Sequence, residues 1–133
     1  MMPLVLRSRR RALAKSRFRS RFKLDETDRK YIDRVGLSTI RRHALDFIEK
    51  RLAPAVPAKD GHQTPFKGHP VFKAQHATAT CCRGCLEKWY GIQKGVPLAA
   101  REIEFLADGI MGWVIEQTGD GQRHPSACLK DLT

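Results

Sequence analysis

The chain is predicted to be all-α, a single small domain of about four short helices. Two long segments repeat apolar residues at the 3.6-residue spacing of an amphipathic helix. No segment shows the period-2 alternation of a half-buried strand, and no internal repeat is visible. Gly and Pro punctuate the chain between the helical segments. At 133 residues the chain holds one domain with a modest core.

The elements follow in order. Residues 12–22 hold helix formers, and Phe18 and Phe22, four apart, share one face if the segment is helical. Residues 25–35 open with acids, which suit the positive end of a helix, and Gly36 is the expected stop. Ser38 is the expected N-cap of a helix over 39–52, whose buried stripe is Ile40, Ala44, Phe47, Ile48 and Leu52. Pro54 ends it. Residues 53–68, with three prolines and two glycines, are a loop long enough to suggest a function. Residues 71–76 and 79–90 are expected to be helical, interrupted at Gly84. The last helix spans roughly 99–117, with Ile103, Leu106, Ile110, Trp113, Val114 and Gln117 near one stripe. Gly109 and Gly112 weaken it by about 1 kcal/mol each relative to alanine. Residues 118–133 read as a flexible tail.

Charge divides the chain more sharply than hydrophobicity does. The formal net charge is +11. Residues 1–23 carry nine Lys or Arg and no acid; the other 110 residues carry 16 basic and 14 acidic side chains. Residues 1–23 therefore read as a basic N-terminal arm, partly helical, and 24–117 as the helical domain. Such an arm attracts polyanions through phosphate contacts and counterion release. The expected DNA- or RNA-binding residues are Arg9, Arg10, Arg11, Arg17, Arg19 and Arg21, joined by Arg41, Arg42 and Arg83. The bland alternative is a solvated face that aids solubility. Trp89 and Tyr90 could stack on bases, but a core role suits aromatics in a small domain.

No apolar run approaches the roughly 20 residues that span a membrane. The start is too short in apolar residues for a signal peptide, and the Ser8-Arg9-Arg10 run lacks the apolar stretch of a twin-arginine signal. A cytoplasmic location is expected, with a mitochondrial presequence as the alternative for an acid-free, Arg-rich start. In the cytoplasm a cysteine cluster is more often metal-binding or redox-active than a disulfide framework.

That cluster lies in residues 69–90, HPVFKAQHATATCCRGCLEKWY, which hold three of the four cysteines and two of the five histidines. Thiolate and imidazole are the side chains that suit a cation such as zinc. Cys82-Arg83-Gly84-Cys85 is a C-x-x-C, in which two thiolates reach one metal. His76, Cys82 and Cys85 form the expected core of the ligand set, completed by His69 or by Cys81; Cys81 is otherwise a spare. An iron–sulfur cluster is the alternative cofactor, needing Cys128 or a histidine beside the three local thiolates. A thiol redox pair lacks its usual βαβ setting, and c-type haem attachment fails because residue 86 is Leu. Reduced, buried cysteines acting as small apolar residues are the bland alternative. His43 reads as a structural or surface histidine. No Ser–His–Asp set, phosphate loop or spaced carboxylate pair is present.

The segments TIRRHALDFIEKRLAP, DGHQTPFKGHP and GHPVFKAQHATATCCRGCLEKW resemble a small bacterial family known as domain of unknown function 4186, over roughly residues 16–117. The resemblance implies one compact domain and marks His69, His76, Cys81, Cys82 and Cys85 as motif positions. It carries no established activity. Family members often place a histidine after the tryptophan, where this chain has Tyr90. If that histidine is a ligand, this chain requires another. Two functions are expected from these residues. One is a zinc-stabilised module that binds nucleic acid through its arm; the other is a small metalloenzyme or thiol protein using the same cluster. An adaptor for an acidic partner is the third possibility.

Overall fold

A computed structural model describes residues 12–13 and 15–119. Among these residues there are six helices and no strand: α1 Arg17–Ser20, α2 Glu26–Val35, α3 Leu37–Arg51, α4 Pro70–Ala77, α5 Arg83–Tyr90 and α6 Ala100–Gly119. The all-α expectation holds, with six helices where about four were expected. Arg9, Arg10, Arg11, Cys128 and nearly all of the expected tail lie outside the described residues.

The core forms where α3 and α4 pack on α6, with α2 against α3 and α1 against α4. Ile40, Ala44 and Ile48 on α3 and Leu52 at its C-cap are fully buried, as their spacing predicts, while Phe47 of the expected stripe is only partly buried. Leu106, Ala107, Ile110 and Val114 meet this stripe from α6, and Val71 and Ala74 from α4. Each large aliphatic side chain so buried contributes about 1.5–3 kcal/mol of transfer free energy. Arg41 on α3 reaches Glu104 at 2.7 Å and Asp108 at 2.8 Å on α6, tying the same pair of helices at the surface. Gln117 closes the far end of the stripe by accepting from the Leu24 backbone N–H at 3.1 Å.

The helix starts are set by local chemistry. Asp25 caps α2 in a reciprocal box with Asp28. Gly36, at φ +87°, both ends α2 and precedes α3, so α3 starts at Leu37 and Ser38 is not its cap. The left-handed backbone that a glycine allows makes the turn in one residue, leaving no room for a separate cap. The segment expected to be helical from 79 begins only at Arg83. Ala79 is left-handed (φ +60°), and the Cys82 sulfur caps α5 by accepting from the Cys85 N–H at 3.4 Å. Gly84 does not interrupt the helix; it lies within the first turn of α5.

The boundary drawn from charge at residue 23 differs from the packing. Leu13 and Arg19 are buried, and Phe22 packs against the core. Basic residues 15–23 thus include both inward- and outward-facing side chains.

Arg83 also differs from expectation. It was expected on a polyanion-binding surface, but it is 1% exposed. Its Nη1 donates to the carbonyls of Pro54 (2.8 Å), Leu52 (3.2 Å) and Ala53 (3.5 Å). Its Nη2 donates to Val96 (2.6 Å) and Gln93 (2.9 Å). A planar guanidinium with a fork of donors is suited to gathering two loops that have no ladder of their own. Those loops end α3 and precede α6. No phosphate can reach this group.

Candidate metal centre

The turn between α4 and α5 brings three sulfurs together. Thr80 N–H donates to the Gln75 carbonyl at 2.8 Å, and the Gln75 side chain donates to the Thr80 carbonyl at 2.9 Å. Thr78 and Thr80 share a buried hydroxyl–hydroxyl bond of 2.9 Å. Tyr90 at the end of α5 donates its hydroxyl to the Thr78 carbonyl. This framework fixes Cys81 and Cys82 at the mouth of α5, and one helical turn then returns Cys85 to them. The sulfurs of Cys81, Cys82 and Cys85 all lie within 4.8 Å of one another, a group that could hold a metal ion. Cys81 and Cys85 are 3.6 Å apart. Two thiolates on one tetrahedral zinc, each at about 2.3 Å, stand about 3.8 Å apart. The Cys81–Cys85 spacing is close to what two such ligands need, and Cys81 belongs to the sulfur group.

Arg19 of α1 is the counterion. Its Nη2 donates to the Cys85 sulfur at 3.1 Å, and its Nη1 lies 3.9 Å from that of Cys81. Nη1 also donates to the His76 carbonyl at 2.6 Å. The guanidinium lies over the rings of Trp89 and Phe18, which screen it from water. Arg19 was expected to face a polyanion. Instead it faces the thiols, and it does so across more than 60 residues of sequence.

This setting separates the thiols. Hydrogen bonds from Cys81 and then Cys82 hold the Cys85 thiol well below its ordinary range, and the Arg19 charge acts in the same direction against burial. Hydrogen bonding to Cys82 and Cys85, with burial, pushes the Cys81 thiol up. Of the three thiols, Cys85 is the one the Arg19 guanidinium faces most closely.

The two candidate histidines part company. His76 is buried on α4, and its Nε2 lies 3.0 and 3.1 Å from the carbonyls of Thr64 and Pro65. Nε2 therefore carries the proton and donates, and the Nδ1 lone pair is left for a ligand. Burial lowers its pKa, as does the Arg19 charge, against those carbonyls and Cys82. The ring lies outside the group formed by the three sulfurs. The contact fastens the long loop over the site, helped by Thr64 Oγ1 donating to the Cys81 carbonyl at 2.8 Å.

His69 is elsewhere and has no lone pair to offer, which corrects its expected place among the ligands. Its Nδ1 caps α4 by accepting from the Val71 N–H at 3.0 Å. The neutral ring must then carry its proton on Nε2, which donates to His43 Nδ1 at 3.0 Å. Burial lowers the His69 pKa to about 4, with the His43 ring adding and Asp28 opposing. His69 borders a separate cleft of about 750 Å³. There Lys73 bridges Asp25 and Asp28. Burial presses the Lys73 pKa down, but its hydrogen bonds to the two carboxylates outweigh that, and the net shift is upward.

Of the remaining sequence candidates, Arg41 is engaged by two carboxylates, while Arg17, Arg21 and Arg42 are exposed. Sequence reasoning missed Arg19 as the thiolate partner, Arg83 as a loop staple and Thr64 as the tie to Cys81. Only Arg83 had a local signal, its place inside the C-x-x-C. No helix among the described residues is long and apolar enough to cross a membrane.

Residues 7–115 match the family described as domain of unknown function (DUF4186), and the chain belongs to that family. The match reaches well into the basic N-terminal segment. No solved structure matches the chain.

Proposed function

We propose that this member of the DUF4186 family is a zinc-binding helical domain with Cys81, Cys82 and Cys85 as its thiolate ligands. The observation that carries the proposal is the gathering of three sulfurs within 4.8 Å of one another, with Cys81 and Cys85 3.6 Å apart, close to the spacing of two ligands on a tetrahedral ion. Charge supports it. A dication with three thiolates carries one net negative charge, and the Arg19 guanidinium beside Cys85 cancels it. Zinc is favoured over harder cations because the donors are thiolates.

The fourth position separates two roles. If His76 turns its Nδ1 to the ion, the centre is closed and structural, pinning the loop over residues 53–68 to α4 and α5. If water takes that place, the centre has three protein ligands and an open position, the arrangement of a catalytic zinc. The second role draws support from His76 lying outside the sulfur group. An iron–sulfur cluster is the competing cofactor, using the same three thiolates.

Elemental analysis of protein purified anaerobically without a His tag, with its visible spectrum, tests the reading. About one zinc per chain and no colour is expected. The Cys82→Ser/Cys85→Ser double variant should lose the metal and melt earlier. Metal content and melting unchanged in that variant would defeat the proposal, as would metal-free protein with all four thiols titratable and the fold intact. Iron with sulfide and a brown colour would replace zinc by a cluster. His76→Ala retaining full zinc would assign the fourth place to a non-protein ligand.

A further inference from the structure

Two aromatic rings stand largely in solvent beside the thiol cluster, and neither can be a metal ligand. Phe18 is 45% exposed and Phe66 61% exposed. They come from α1 and from the long loop, 48 residues apart in sequence, and meet edge to face with centroids 6.4 Å apart. Phe22 stacks nearly parallel to Phe66 at 6.3 Å, and Phe66 stacks on the buried His76 at 4.6 Å. Single exposed apolar residues are ordinary, but rings from two segments gathered into one patch are a recognition feature.

Exposed cations neighbour these rings along the chain. Lys15, Arg17, Arg21 and Lys23 flank Phe18 and Phe22 along the chain, Lys67 follows Phe66, and all five are exposed. Neither residues 15–23 nor residues 61–68 contain an acid. Exposed rings carried on two cation-rich segments without acids match a polymer of stacked bases joined by phosphates. An apolar protein partner would not need the cations, and an acidic peptide would not need the rings. A duplex keeps its base faces stacked inside and offers the rings little.

We propose that Phe18 and Phe66, bordered by Arg17, Arg21 and Lys67, form a stacking platform for single-stranded nucleic acid. None of these side chains belongs to the sulfur group, but the platform adjoins it: Phe18 touches Arg19 and Phe66 stacks on His76.

The test uses the full chain with labelled oligo(dT), oligo(U), a duplex of equal length and polyglutamate, read by fluorescence anisotropy across a salt series. Single strands should bind more tightly than the duplex. Phe18→Ala/Phe66→Ala should weaken oligo(dT) binding by about tenfold or more. Arg17→Gln/Arg21→Gln/Lys67→Gln should reduce the slope of log affinity against log salt by about 2. Phe18→Leu/Phe66→Leu keeps apolar bulk and removes the rings, so it should lose binding while still unfolding in one cooperative step. Parent-like binding in both aromatic variants would overturn the proposal, because cations alone would then be sufficient. A preference for duplex, or polyglutamate bound as tightly as oligo(dT), would overturn it in favour of a groove binder or an acidic partner.

Discussion

Replacing Arg83 by methionine tests the fold where the sequence was most misleading. Methionine keeps the length and apolar bulk of the side chain and removes every donor. Five carbonyls lose a partner: Leu52, Ala53, Pro54, Gln93 and Val96. Three of those contacts, at 2.6, 2.8 and 2.9 Å, are short and charge-assisted. Each such bond contributes about 1.5–3 kcal/mol. Against this, the variant no longer buries a guanidinium, and some carbonyls regain water. A net loss of about 3–5 kcal/mol follows. That is a third or more of the stability of an ordinary domain, and it corresponds to a fall of roughly 10–20 °C in Tm. Urea unfolding monitored by far-UV circular dichroism measures it. Arg42→Met, an exposed position on α3, is the control and should stay within about 0.5 kcal/mol. A loss below about 1 kcal/mol in Arg83→Met would refute the argument. So would parent-like unfolding with abolished oligonucleotide binding, which would return Arg83 to the surface.

His69→Asn keeps a capping side chain on α4 and removes the titrating ring. Because the folded pKa of His69 is lowered to about 4 from 6.5, its contribution is complete above pH 6.5 and is lost as pH falls toward 4. After discounting for partial exposure this amounts to about 1–2 kcal/mol. Urea midpoints from pH 7 to 4.5 should fall less steeply in the variant, and its metal content should equal the parent's. Loss of metal would restore His69 as a ligand. Arg41→Ala breaks two exposed ion pairs between α3 and α6. It should cost about 0.5–1 kcal/mol by urea unfolding, a loss that shrinks in high salt.

Much of the fold is local and was therefore legible. The α3 stripe and the α6 stripe each repeat at helical spacing, and burial alone orients them. The acids of α2 and the proline after α3 mark ends by chemistry that acts within a few residues. The start of α5 is different. A cysteine sulfur is an uncommon cap, so the pattern of helix formers from 79 onward hid the turn that assembles the site. The cysteines were legible as a group because they are adjacent in sequence. The histidines were not, since His69 and His76 both sit near the cluster along the chain. Both ring nitrogens of His69 are committed, to the Val71 N–H and His43, whereas in His76 only Nε2 is, to the Thr64 and Pro65 carbonyls, and Nδ1 stays available. Arg19 carried no signal, because composition makes it one of nine cations in a segment that reads as an appendage.

Arg19 also explains how so short an element as α1 can present the platform. Four residues make one helical turn, which does not persist by itself in water. What holds α1 is tertiary: the Arg19 guanidinium on the Cys85 sulfur and the His76 carbonyl, and Phe22 on the His76 ring. Phe18 lies one residue before Arg19 and inherits its position. Arg19→Met should therefore weaken two properties together. With the counterion gone, a centre of three thiolates and one dication keeps an uncompensated charge, and zinc should be lost faster to a chelator. With the anchor gone, Phe18 and Arg17 lose their fixed place beside Phe66, and oligo(dT) affinity should fall several-fold. Phe18→Ala/Phe66→Ala keeps the Arg19–Cys85 contact, so it should lower oligo(dT) affinity while losing less chelator resistance than Arg19→Met does. Chelator resistance in Arg19→Met equal to the parent's would show that the guanidinium does not balance the centre. Undiminished oligo(dT) binding would show that α1 is held by Phe22 and the core without it.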